Sequence, residues 1–369
     1  MYRLPKETLQ NFTEAILIKA GILPPDARTG AAVLLQSDAA GIASHGLSRL
    51  PLYMERIELG LVNLRPQIRV LAETPVSMLV DCDNGMGIIN VPKIQQMAMD
   101  KVQKSGIFAV SMRNSTHYGA GSYYALRALE RDLFSMLVTS TTPCVAPTGG
   151  TGTLIGTNPL TITVPAGKEK PIVLDMATTT VALGKLQAAL REGQKIPLGW
   201  ALDEAGFPTE DPAQGILGSL LPIGGYKGYG LAVIIDILCA VLSRSSFGNE
   251  VGRLLNAPTP KPEDIGHFLL LLDISIFRPL DEFKAEVDRY IQTMKNAPKA
   301  TGIEEIFLAG EIEFNKMDEY RRDGIPVTEA LGEQLLGLAR KLNLASAQDD
   351  FESAVAAVAK AVEDGTLTH

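Results

Sequence analysis

The chain has 369 residues, 46% of them apolar and 21% charged, and a formal net charge of -8. This length allows two or three domains around a sizeable core, and the acidic balance excludes a nucleic-acid binder, which needs clustered Lys and Arg against phosphates. Three cysteines far apart, Cys82, Cys144 and Cys239, give neither a disulfide framework nor a zinc spacing, so a reducing cytoplasmic setting is expected. The opening MYRLPKETLQNF has no apolar run behind a basic start, and no stretch of 18 uncharged apolar residues occurs, so neither export nor a membrane span is expected.

In chain order, residues 6–20 and 26–42 carry apolar positions at helical spacing, with Asp26 placed after LPP to cap the second helix. HGLSRLPLYMERIELG repeats Leu47, Leu50, Met54 and Ile57 every three or four residues and stops at Gly60, which predicts a third helix. From about residue 68 short β-rich runs follow: IRVLAE, VSMLVD, IFAVSM, FSMLVTS, LTITVP and PIVLDM. They are bounded by Gly, Pro or Asp, and helical stretches near 92–105 and 122–132 fall between some of them. GYGLAVIIDILCAVLS is apolar all round and predicts a buried helix, while HFLLLLDISIF predicts a central strand. Helices return at about 280–296 and 327–343. The tail 349–364 sets Phe351, Val355, Val358 and Val362 on one side of a last amphipathic helix. The expected fold class is α/β.

Four histidines are present, one of them the last residue. In SHGLSR, helical spacing would set His45, Arg49 and Tyr53 in one row of imidazole, guanidinium and phenol. Such a row can hold a carboxylate in the planar guanidinium fork and exchange a proton near neutral pH; a solvated helix face capped locally by Ser44 is the alternative. In RNSTHYGAGSYYALRALE, His117 follows a predicted strand and precedes a helix beginning near Ser122. It therefore sits at a strand's carboxyl end, where α/β sheets place ligands. Gly119 and Gly121 permit close approach of a ligand to backbone, and a histidine satisfied by turn hydrogen bonds is the alternative.

GGTGTLIGTNP spaces its glycines GxGxxxG without an acidic residue ending a strand about 20 residues on, so a Rossmann fingerprint is rejected. GGYKGYG sets Lys227 among glycines just before the buried helix, a cradle for a phosphate or else a flexible loop. VLDMATT ends a strand in Asp175, either a cap for the following segment or the partner of a polar group in a cleft. A hydrolase with Ser44 as nucleophile and His45 as base is disfavoured, because neighbours on a helix point about 100° apart. Metal catalysis is weaker still, since His45, His117 and Asp175 lack a short ligand spacing.

Taken in order, SHGLSRLPLY, NSTHYGAGSYY, GTNPL, LDMATT, IPLGWALDEAGFPTEDP and GGYKGYGL resemble the malate/L-lactate dehydrogenase family that is unrelated to the Rossmann-fold enzymes of that name. Sulfolactate, ureidoglycolate and diketogulonate oxidoreductases and cyclic-imine reductases belong to it, and the resemblance spans about residues 5–343. It implies a mixed-sheet, non-Rossmann α/β core that binds NAD or NADP, and a homodimer with the active site near the subunit contact. A helical substrate and dimer domain would comprise residues 1–75 joined by 300–369, and the cofactor-binding domain residues 76–299. By the same resemblance His117 is the proton acceptor, with His45, Arg49 and Ser44 facing a small carboxylate substrate. Thr141, Asp175, Met176, Ala177, Lys227 and Gly310 would line the cofactor cleft. Where the family tends to read PGE, LAGEIE has Ala309 and keeps Gly310 and Glu311. The expected activity is hydride transfer between the cofactor and a 2-hydroxy or 2-oxo acid. A cyclic-imine carboxylate reductase or a non-catalytic binding protein on the same fold are the alternatives.

Overall fold

The computed structural model describes residues 1–254 and 260–363. A seven-stranded mixed sheet forms the centre: β2 (Arg69–Thr74), β3 (Ser77–Asp81), β4 (Ile107–Ser115), β5 (Leu133–Thr139), β6 (Leu160–Val164), β7 (Ile172–Met176) and β10 (Ile265–Asp273). Their order is β2-β3-β4-β10-β5-β6-β7. Only β3 and β4 pair in parallel among the described strands of this sheet, which confirms the rejection of a doubly wound Rossmann sheet. As its apolar run predicts, β10 is the middle strand. It buries Leu269 and Leu271 beside Val110, Met112, Leu133 and Leu137. Helix α4 (Gly87–Ser105) covers this face with Val91, Ile94, Ala98 and Val102, and each buried Val or Ile side chain contributes about 1.5–3 kcal/mol. Helix α5 (Ser122–Leu129) begins where the sequence places it.

Beside the sheet lies a helical layer. It comprises α1 (Lys6–Lys19), α2 (Pro24–Ala39), α3 (Leu50–Glu58), α11 (Glu329–Lys341) and α12 (Ala345–Glu363). Strand β1 (Tyr2–Leu4) pairs antiparallel with β11 (Ile325–Val327), tying the two ends of the chain together. The tail helix belongs to this layer: Phe351 is buried against Phe12 with ring centroids 4.8 Å apart. The side chains of Val358 and Val362 lie outside the described residues. Met86, Ile88 and Ile89, at the start of α4, join the same apolar cluster and seat the layer on the sheet. Helices α6 (Leu183–Glu192), α7 (Pro212–Leu217), α8 (Tyr226–Asp236), α9 (Leu280–Lys295) and α10 (Glu311–Asp323) and the short hairpin of β8 (Ala201–Leu202) with β9 (Ser219–Leu220) complete the fold. The patterning flagged neither α6, α7 nor α10.

Three expectations need correction. Asp26 does not cap α2: Leu23 is the N-cap without a side-chain bond, Pro24 and Pro25 open the helix, and Asp26 in the first turn pairs with Lys93 at 2.6 Å. Fixed proline φ angles begin this helix instead. Nor is the third helix continuous from His45, because two 3-10 turns, Ala43–His45 and Leu47–Arg49, precede α3. Finally, the helix expected to be buried is not buried within one chain. Along α8 and the π turn after it, Ile234 and Val241 are each 56% exposed, and Leu231, Ile237 and Leu242 share their exposure.

Candidate active site

The break at Gly46 is a packing feature. A Cβ there would lie 2.0 Å from Asp38 Oδ1, so only glycine lets the carboxylate of α2 seat against this backbone. The Leu47 N–H donates to Asp38 Oδ2 at 2.8 Å. Burial raises Asp38 to about 7, opposed by that hydrogen bond. This anchor turns the segment so that Ser44 Oγ comes within 2.9 Å of His45 Nδ1. These neighbours therefore do not face apart as helical spacing predicts, because the 3-10 turn does not have that spacing. Arg49 Nε donates to Ser44 O at 2.6 Å, and its two terminal nitrogens have no protein partner among the described residues.

Loss of the continuous helix does not scatter the row. His117 lies two residues past the end of β4, as its position predicts, and Tyr53 Oη sits 2.6 Å from His117 Nδ1. The Gly119 N lies 3.3 Å from the same nitrogen. The rings of His45 and His117 stack with centroids 5.6 Å apart. Five side chains from two layers thus converge: Ser44, His45, Arg49 and Tyr53 from the helical layer, and His117 from the sheet.

Burial makes these imidazoles weak bases. It lowers His45 to about 4, assisted by the Arg49 charge. His117 falls well below the usual histidine range, chiefly through burial and then through His45, Arg49 and His267. Burial likewise raises the Tyr53 phenol, against the Arg49 charge, so it stays protonated. Both histidines are neutral at pH 7, the state that accepts a proton.

Among the described residues Asp175 does not cap the segment that follows it; it is the partner of polar groups from an earlier helix and a neighbouring strand. Its Oδ2 accepts the Ser122 N–H at 2.9 Å, capping α5, and its Oδ1 accepts from Thr161 Oγ1 at 2.9 Å. Burial raises its pKa against these bonds. Met176 and Ala177 follow, half-buried. Thr178 N and Oγ1 both donate to Thr157 O, at 2.9 and 2.8 Å. Thr157 Oγ1 lies 3.2 Å from Thr141 Oγ1, and the Ile223 N–H donates to Thr178 O at 2.9 Å. Backbone segments carrying Thr141, Asp175 and the approach to Lys227 are therefore laced side by side. Lys227 is the second residue inside α8 rather than before it, and is exposed. Gly224 and Gly225, with φ of 60° and 65°, have nothing within 4 Å of a built Cβ, which leaves open space before the helix. Gly310 caps α10 and packs against Val173, two residues before Asp175. No hydrogen bond joins Lys227 or Gly310 to the histidine cluster among the described residues.

Several site residues were missed. Asn158, buried within the quoted GTNPL, takes the Thr141 N–H on Oδ1 at 3.1 Å and donates to Ala232 O at 3.0 Å, tying that loop to α8. Glu263 accepts the His117 N–H at 2.7 Å. His267, fully buried on β10, lies 2.7 Å from Thr139 Oγ1 and edge-on to Tyr118. A titratable residue heading an apolar central strand is the signal that could have found it.

Residues 4–336 match the family model described as malate/L-lactate dehydrogenase. A malate dehydrogenase of Pyrococcus abyssi is 38% identical over 352 residues, 93% of this chain and 95% of that protein. The structure of sulfolactate dehydrogenase from Methanocaldococcus jannaschii has a TM-score of 0.86 at 34% identity, covering 92% of this chain and 97% of that one. Delta1-piperideine-2-carboxylate reductase from Pseudomonas syringae pv. tomato has a TM-score of 0.83 at 26% identity, covering 92% and 100%. Further relatives are dehydrogenases linked to NAD(+) and to NADP(+).

The buried histidines give stability a defined pH dependence. Burial lowers His267 to about 3, only partly offset by the Thr116 backbone, against an ordinary 6.5. Between those values the unfolded chain binds more protons than the native one, so this contribution is complete above pH 6.5 and is lost as pH falls toward 3. At pH 5 the loss is about 2 kcal/mol. Asp38 and Glu263, both raised to about 7, act oppositely and lose stability as pH rises to 7. His267→Gln isolates the histidine: in urea unfolding at pH 7 and pH 5, the variant should lose less stability on acidification than the unmodified chain. Identical pH dependence would contradict the assignment.

Proposed function

The chain belongs to the malate/L-lactate dehydrogenase family and is an NAD(P)-linked oxidoreductase of small 2-hydroxy acids, and we propose that the His45, Tyr53 and His117 cluster beside Arg49 is its active site. That convergence carries the assignment. Arg49 holds the substrate carboxylate in its unpaired fork. With its Nδ1–H donated to Tyr53 Oη, 2.6 Å away, neutral His117 takes the hydroxyl proton on Nε2 as the carbon–hydrogen bond breaks and the carbonyl forms; in reduction it returns that proton to the oxygen. Bound nicotinamide supplies the hydride acceptor or donor. His45, held by Ser44, packs on His117 and polarises the carbonyl as it forms.

Thr141, Asp175, Met176, Ala177, Lys227 and Gly310 are assigned to the cofactor cleft. Supporting this are the laced segments through Thr157 and Thr178, rich in hydroxyl and amide donors, and the open glycine approach to the α8 amino end beside Lys227, which suits a phosphate. A cyclic imine carboxylate would present the same carboxylate to Arg49, and turnover of oxaloacetate, pyruvate and a cyclic imine carboxylate separates the two substrate classes. The division into residues 1–75 with 300–369, against 76–299, is supported by the cluster joining α1–α3 to α11 and α12. Three free cysteines suit a reducing cytoplasm, and no described helix is long and apolar enough to cross a membrane.

Two variants test the site. Arg49→Lys keeps the charge but loses the fork, and should lower kcat/KM about 10- to 100-fold with cofactor affinity unchanged. His117→Ala should slow the chemical step about 10²- to 10⁴-fold while cofactor still binds. Unchanged turnover of every carboxylate substrate by Arg49→Lys would remove Arg49 from the site.

A homodimer is proposed as well. The exposed apolar face of Leu231, Ile234, Ile237, Val241 and Leu242 supports it, because a soluble monomer rarely leaves such a face uncovered. Light scattering at micromolar concentration should give the mass of two chains, and Ile234→Glu should give one. A single-chain mass for the unmodified protein contradicts this.

A further inference from the structure

His117 stands beyond the hydrogen-bonding reach of its own sheet. The β4–β10 ladder ends at the Ser115–Ile265 pair, so the His117 N–H has no strand partner. It donates instead to Glu263 Oε2 at 2.7 Å. Glu263 is 1% exposed, and its other oxygen lies 3.0 Å from Arg56 Nε, itself 4% exposed. Arg56 also donates to Arg253 O at 3.1 Å and to Lys261 O at 3.3 Å, the latter two residues before Glu263. Arg56 is three residues after Tyr53, so both lie on one face of α3. That face meets His117 at two points, the ring nitrogen through Tyr53 and the backbone through Arg56 and Glu263.

We propose that Glu263, held by Arg56, is a positioning residue that fixes the His117 backbone so that α3 and the imidazole keep one geometry. This rests on His117 being the proton-exchanging group. A buried ion pair is an expensive way to add stability, and replacing both members with neutral side chains of similar size is often tolerated, whereas removing one strands a charge. A purely structural pair would therefore be replaceable by any well-packed neutral pair. A positioning pair is replaceable only by one that still accepts the His117 N–H.

Two double variants make that distinction. Arg56→Met with Glu263→Gln removes both charges and keeps a carbonyl acceptor. Arg56→Met with Glu263→Met removes the acceptor too. With NADH and oxaloacetate, the Gln pair should keep kcat within about threefold of the unmodified protein, while the Met pair should lose about 10- to 100-fold, the effect of a small misplacement of a reacting group. Melting temperature and NADH affinity should match between the two. In protein labelled with 15N at its four histidines, the His117 amide proton should move upfield in the Met pair and not in the Gln pair. Equal kcat in both double variants, with His117→Ala inactive, would overturn the clamp alone, and so would a loss of kcat that follows melting temperature. Turnover retained by His117→Ala would instead overturn the proton assignment, and with it the catalytic meaning of the clamp.

Discussion

The 2.6 Å contact between Tyr53 Oη and His117 Nδ1 is where two separately built halves of the molecule meet. Tyr53 belongs to a helical layer assembled from both ends of the chain, and His117 to the rim of a sheet whose middle strand is β10. Each half forms for its own reasons: apolar stripes at helical spacing in one, alternating or continuous apolar runs in the other. Neither holds a complete site. The Arg49 guanidinium and the His117 imidazole come together only when Met86, Ile88 and Ile89 at the start of α4 lock the layer onto the sheet. That dependence explains why so much polar chemistry is buried at the seam.

The seam carries Asp38, Glu263, Arg56 and His267 at or near full burial and His117 half-buried, and each has a local partner. Burial pushes the carboxyls up and the imidazoles down, so each group moves toward its neutral form. A neutral histidine beside a permanently charged Arg49 suits the oxidation of a 2-hydroxy acid. The imidazole can take a proton without already carrying one, and the guanidinium keeps a charge for the carboxylate at any working pH.

The strands and the place of His117 were legible because their signals are local: β-rich runs between turn residues, and a histidine just past a strand with glycines behind it. Gly46 was misread because what breaks the helix there is the Asp38 carboxylate, eight residues earlier and invisible to periodicity. The α8 helix was misread for another reason. An apolar surface looks the same in sequence whether or not its own chain covers it. Glu263 in PKPEDIGHF gives no local sign of its function, since that depends on an unpaired N–H at the end of a strand far away in the chain. His45 and Arg49 were placed on the wrong element yet in the right neighbourhood, because the 3-10 turns still carry them toward His117.

The chemistry proposed for this seam is hydride transfer at the carbon bearing a hydroxyl or carbonyl group beside a carboxylate. Incubation with deuterium-labelled NADH, carrying the label at the nicotinamide C4 of one face, and oxaloacetate or pyruvate, followed by mass spectrometry and NMR of the product, tests it directly. The predicted result is a 2-hydroxy acid with deuterium at C2, the label coming from one C4 face and not from the other. Product with hydrogen from solvent at C2, or no 2-hydroxy acid formed with any 2-oxo acid and either NADH or NADPH, would contradict it.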